Sequence, residues 1–112
     1  MSKAIISDID GTLLSNAADT APEEVTNALL TFQQQGNYVG LCTGRALGGC
    51  QPIIKSLKSL NLPSIFFSGA LIWDTNTNTE IFSQPLDESI LEIIPQILAN
   101  YKGVSVTVNT ID

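Results

Sequence analysis

Two carboxylates, Asp8 and Asp10, stand one residue apart behind the apolar pair Ile5-Ile6 and ahead of Gly11-Thr12. Carboxylates this close repel each other unless a cation lies between them or one takes up a proton. Such a pair suits phosphoryl transfer. One carboxylate attacks phosphorus and forms an aspartyl-phosphate. The other protonates the leaving oxygen and later deprotonates water. A hard cation relieves the repulsion between carboxylate and phosphate dianion, and Mg²⁺ favours this kind of oxygen ligand. Gly11 permits a sharp turn. The backbone N–H groups around Ile9 to Gly11 are then free to meet phosphoryl oxygens.

The elements that must hold these groups follow from pattern. Lys3 to Ile9 reads as a buried strand, and ligands of open α/β sheets bind at the carboxyl ends of strands. Thr20-Ala21-Pro22-Glu23 has the form of a capping box with Pro in the first turn. Val25, Ala28, Leu29 and Phe32 then make one helix face, ended by Gly36. Tyr38 to Cys42 is a second strand, stopping at Thr43-Gly44-Arg45. A second helix is expected from about Cys50 to Leu60, and Ser64 to Ser68 is a third strand. This βαβαβ order implies parallel pairing. Ala70 to Asp74 and Glu80 to Ser83 flank a Thr/Asn-rich turn and read as a hairpin. A third helix is expected from Asp87 to about Asn100, kinked at Pro95. Val104 to Val108 alternates as a half-solvated strand would.

Composition narrows the function classes. The 112 residues carry a net charge of −6 with five Lys plus Arg, which argues against nucleic acid or an acidic membrane as partner. No stretch has the apolar length of a membrane span, and no leader pattern precedes Asp8. A cytoplasmic protein is the simplest expectation. There is no histidine, and Cys42 and Cys50 form neither a zinc pattern nor a disulfide framework. Cys42 reads as a small buried apolar residue, Trp73 as hairpin packing, and Lys55 and Lys58 as solvated charges.

The segment Asp8-Ile9-Asp10-Gly11-Thr12-Leu13-Leu14 resembles motif I of the haloacid dehalogenase superfamily. Thr43-Gly44-Arg45 resembles motif II. Ser68-Gly69-Ala70-Leu71-Ile72-Trp73-Asp74 is similar to the Asn-Gly-Ala segment of its Cof-like sugar-phosphate phosphatases, with Ser68 in place of the Asn. The resemblance implies an Mg²⁺-dependent phosphohydrolase acting on small phosphorylated metabolites. Asp8 would be nucleophile and metal ligand. Asp10 would be acid/base and would bind the metal through its main-chain carbonyl. Thr43, with backbone help from Ile9, Gly11 and Gly44, would hold the phosphoryl group, and Arg45 would face the substrate or the cap.

The same resemblance implies a fold: a partial doubly wound, Rossmann-like parallel sheet of three strands with helices, a hairpin and the start of an α/β cap. Residues 1–84 would be the N-terminal half of a catalytic core and 85–112 the beginning of a cap. The family's later lysine and acidic metal-binding pair have no counterpart here. A non-catalytic piece that folds and self-associates is therefore the alternative expectation. Its first strand would have a bare edge, open to pairing with another copy. A signalling receiver domain is the rival of the same size, but its third strand would end in an acceptor Asp, where this sequence has Ser68-Gly69.

Overall fold

The computed structural model describes residues 1–15 and 18–111. Part of the loop after motif I, at Asn16 and Ala17, lies outside the described residues, as does Asp112. Strand β1 (Ala4–Ser7) pairs in parallel with β2 (Tyr38–Leu41), Ala4 opposite Tyr38 and Ser7 opposite Leu41. Helix α1 (Glu23–Gln34) forms the crossover between them. It turns Leu29 into the core, with Val25 and Phe32 against it, and leaves Ala28 exposed. Pro22 itself sits at the N-cap and no side chain caps the helix, so the expected capping box does not form. Gly36 ends the helix with φ +83°, a conformation only glycine adopts cheaply.

Helix α2 (Gln51–Ser56) is shorter than its sequence suggests. At Leu57 the chain turns extended, φ −88° and ψ 94°. The reason lies at Asn61, whose carboxamide oxygen accepts from Val39 N–H at 2.7 Å while its own N–H donates to Val39 O. Straightening residues 57–62 brings Asn61 to β2 and still buries Leu57 and Leu60. Gly40 makes room for this: a Cβ there would stand 3.2 Å from Leu62 Cβ and 3.3 Å from Pro63 O.

Strand β3 (Ser64–Phe66) departs from the expected all-parallel sheet. It meets β2 through one parallel bridge, Cys42 to Ile65, and through the Ser64 hydroxyl, which accepts from Leu41 N–H at 3.0 Å. Its full pairing is antiparallel, to β4 (Leu71–Asp74), which pairs in turn with β5 (Thr79–Ser83). A tight turn over Phe67–Gly69 folds β4 straight back onto β3, so the hairpin extends the sheet rather than sitting beside it. At the hairpin tip the Asp74 carboxylate accepts N–H groups of Asn76 and Thr77, which holds its carboxyl below the ordinary carboxylate range. Trp73 packs against the core and donates to Asn78, as hairpin packing requires.

Beyond β5 the chain changes character. Helix α3 (Ile90–Asn100) runs unbroken through Pro95 and buries no residue. Asp87 does not cap it directly: its carboxylate accepts Ser89 N–H one turn before. Val104 to Val108 pairs with no described strand, and Val104, Val106 and Val108 stay exposed. The radius of gyration, 16.8 Å, exceeds the roughly 13 Å expected of a compact chain of this length. Among the described residues β1 has a neighbour on one side alone, and Ile5 and Ile6 are 37% and 56% exposed. No described helix is long and apolar enough to cross a membrane.

Candidate active site

The site is built where three strands end together. After β1, Ile9 plunges into the core, and its carbonyl accepts from Thr12, Leu13 and Leu14 N–H groups at 2.9 to 3.2 Å. This closes a tight loop with Asp10 and Gly11 at its tip, Gly11 at φ +75°. Asp8 stands before the loop, its carboxylate accepting Ile9 N–H at 2.7 Å. After β2, Thr43 is buried, and its hydroxyl accepts Arg45 N–H at 3.0 Å. After β3, Phe67 and Ser68 take left-handed conformations, φ 50° and 54°, followed by Gly69 at φ 106°. Two hydrogen bonds hold this turn to the motif II loop: Phe67 N–H to Arg45 O and Ser68 N–H to Thr43 O. Gly44 packs closely on this turn: a Cβ there would stand 3.1 Å from Ser68 Oγ, and the hydroxyl would have to give way.

Together these ends enclose an open depression of about 590 Å³ lined by Asp8, Cys42, Thr43, Gly44, Ile65, Ser68 and Gly69. Asp8, Thr43 and Gly44 were expected here from sequence. Ser68 and Gly69 enter the lining because β3 ends level with β1 and β2, a position that the Ser-Gly pair after an apolar run already marks. Cys42 corrects the reading of a buried thiol: it is exposed and faces the depression, since it follows the buried Leu41 and precedes the buried Thr43. Cys50 is the buried one, and burial pushes its thiol up.

Asp10 and Arg45 stand beside the depression without lining it. The Arg45 guanidinium forks onto Asp10, Nε donating to one carboxylate oxygen at 2.7 Å and Nη2 to the other. Its Nη1 donates to Gly49 O at 3.3 Å. The fork's hydrogen bonds hold the Asp10 carboxyl below its usual range against a small opposing effect of desolvation. Lys55 and Lys58 remain exposed surface charges, and no lysine lines the depression. Among the described residues no group of three His, Cys, Asp or Glu side chains is gathered to hold a metal. For Mg²⁺ the chain therefore offers the Asp8 carboxylate and the Asp10 main-chain carbonyl, both hard oxygen donors. That is a partial set of the kind Mg²⁺ completes with water and substrate phosphate.

A family model described as haloacid dehalogenase-like hydrolase matches residues 5–112. The chain belongs to that family, in its Cof-like branch. YxeH of Bacillus subtilis (strain 168) is 38% identical over 86 residues, covering 75% of this chain and 31% of YxeH. YcsE of the same organism, a 5-amino-6-(5-phospho-D-ribitylamino)uracil phosphatase, is 40% identical over 76 residues, 68% of this chain and 30% of YcsE. A haloacid dehalogenase-like hydrolase structure from Bacteroides thetaiotaomicron superposes with a TM-score of 0.77 at 21% identity, over 88% of this chain and 38% of that one. At that identity the last match speaks to fold alone. The chain thus spans about a third of the length of the relatives it matches.

Proposed function

We propose that this chain carries the nucleophile-bearing part of a phosphohydrolase site for small phosphate esters, sugar phosphates in particular. One observation carries the reading: Asp8, Thr43, Gly44 and Ser68 converge on one depression at the shared end of three strands. An Asp8 oxygen attacks phosphorus, the bond to the ester oxygen breaks, and Asp10, which must first take up a proton against the pull of the Arg45 fork, delivers that proton to the leaving alkoxide. Asp10, now a carboxylate, accepts a proton from water as that water attacks the aspartyl-phosphate, freeing inorganic phosphate and regenerating Asp8. Thr43 and the Gly44 N–H receive phosphoryl oxygens, and Arg45 supplies positive charge nearby. The N–H groups of Ile9 and Gly11 join them only once these leave the Asp8 carboxylate and the Leu14 carbonyl that hold them in this structure. Mg²⁺, held by Asp8 and the Asp10 carbonyl, would supply neutralising charge between carboxylate and phosphate.

A second reading is favoured because, among the described residues, no group of three acidic side chains is gathered at the site and no lysine lines the depression. In it the 112-residue chain folds and binds phosphate weakly without turnover, and it self-associates through the open edge of β1. Hydrolysis of an aryl phosphate with Mg²⁺, beside an Asp8→Asn control, separates the two. Little or no turnover is expected of this chain. Robust hydrolysis lost in Asp8→Asn would remove the second reading, and a single monomeric mass at all concentrations would remove its self-association.

A further inference from the structure

We propose that Arg45 is a positioning residue for Asp10, acting through that carboxylate rather than on the bound phosphate; the proposal rests on the phosphohydrolase reading of the same site. Three observations carry it. First, the guanidinium is committed: both carboxylate oxygens of Asp10 and the Gly49 carbonyl take donors from it, using all three of its nitrogens. Second, Arg45 is absent from the lining of the depression that contains Asp8, Thr43 and Gly44. Third, its backbone is fixed from both sides, N–H to Thr43 Oγ1 and carbonyl to Phe67 N–H, so the fork starts from a rigid base.

The chemistry of the fork suits a working carboxylate. A bidentate guanidinium occupies one lone-pair site on each oxygen, and an ionised carboxylate has about four such sites. Asp10 is thereby held in one orientation and can still accept a proton from water or a hydroxyl. At the tip of a loop, 57% exposed, it has no packing to hold it otherwise. The contact spans 35 residues of sequence, and with Nη1 on Gly49 O the same guanidinium ties the loop after β1 to the turn at Gly48–Cys50. Lysine keeps the charge but cannot make the fork, so it separates orientation from simple attraction.

The test uses the isotope-labelled 112-residue chain with Arg45→Lys, Arg45→Gln and Asp10→Asn variants. In the unchanged chain the Arg45 Nε–H should give a resolved, slowly exchanging resonance that Asp10→Asn removes. Asp10 should occupy one side-chain rotamer by three-bond couplings, and average between rotamers in both Arg45 variants while the β1–β2 cross-strand contacts persist. Titration with inorganic phosphate, read at the Thr43 and Gly44 amides, should give Kd values within roughly threefold of the unchanged chain in Arg45→Lys and Arg45→Gln. If the chain turns over an aryl phosphate, kcat should fall about tenfold or more with KM little changed. A single Asp10 rotamer retained in both Arg45 variants would overturn the proposal. So would a phosphate Kd weakened tenfold or more in both, which would make Arg45 a phosphate ligand. If phosphate shifts no amide even in the unchanged chain, the phosphohydrolase reading fails for this chain, and the resonance and rotamer comparison alone decides the role of Arg45.

Discussion

Residues 4–83 and residues 84–111 have opposite relations between composition and burial. Every buried hydrophobic residue of the core, from Ile9 to Leu71, belongs to the first region. The second holds the most apolar described helix, with six Ile or Leu residues among its eleven, and buries none of them. Hydrophobic content is therefore a poor guide to what is stable here. Pairing decides it. In the first region each buried apolar run has a sheet neighbour or a crossover helix to cover it, and the exceptions, Ile5, Ile6, Ile81 and Phe82, lie on the outer strands β1 and β5. In the second, α3 and residues 106–111 line an apolar groove with Phe67, Ala70 and Leu71, and Ile111 packs against the core only partly buried. The candidate site lies wholly on the covered region, which is where preorganised geometry can be held.

This contrast can be broken most sharply at Phe66, fully buried at the centre of the core. Phe66→Ala should cost about 3–5 kcal/mol, enough to unfold much of the population, read by denaturant unfolding. Gly40→Ala forces a Cβ against Leu62 and Pro63 and should cost about 1–3 kcal/mol, with the largest amide shifts at residues 61–64. Acid should act next. The Asp74 carboxyl is depressed in the folded state, so its contribution is complete above the ordinary carboxylate pKa of about 3.9 and fades as pH falls through the lower folded value. Asp74→Asn should flatten that part of the acid-unfolding curve, and an unchanged curve would show the turn contributes nothing. The smallest effect is expected at Ile93, 45% exposed on α3, where Ile93→Ala should change stability by less than about 0.5 kcal/mol. A cost near that of Phe66→Ala would erase the contrast.

Much of this was legible in the sequence, for reasons tied to particular residues. The Asp8-x-Asp10-Gly11 spacing and the Thr43-Gly44 pair sit directly after apolar runs, and strand ends are where such runs stop. The parts that were not legible depend on distant partners. Helix α2 has the apolar spacing to continue to Leu60, but Asn61 is drawn to Val39, twenty-two residues back, and no local pattern announces that. The β3–β4 reversal depends on left-handed Phe67 and Ser68, types that do not advertise such conformations. Val104 to Val108 alternates as a strand should, yet it pairs with no described strand, and alternation alone makes no sheet. The Arg45–Asp10 fork joins two motifs that sequence reads separately.

The left-handed pair at Phe67 and Ser68 also limits which sequences this site can accept. Positive φ excludes β-branched residues and favours Gly, Asn and Asp. A library randomised at position 68 and screened for folding should therefore return Gly, Asn and Asp well before Val, Ile or Thr. The room for variation at the rim of the depression is set by a backbone angle, and substrate chemistry acts only within what that angle permits.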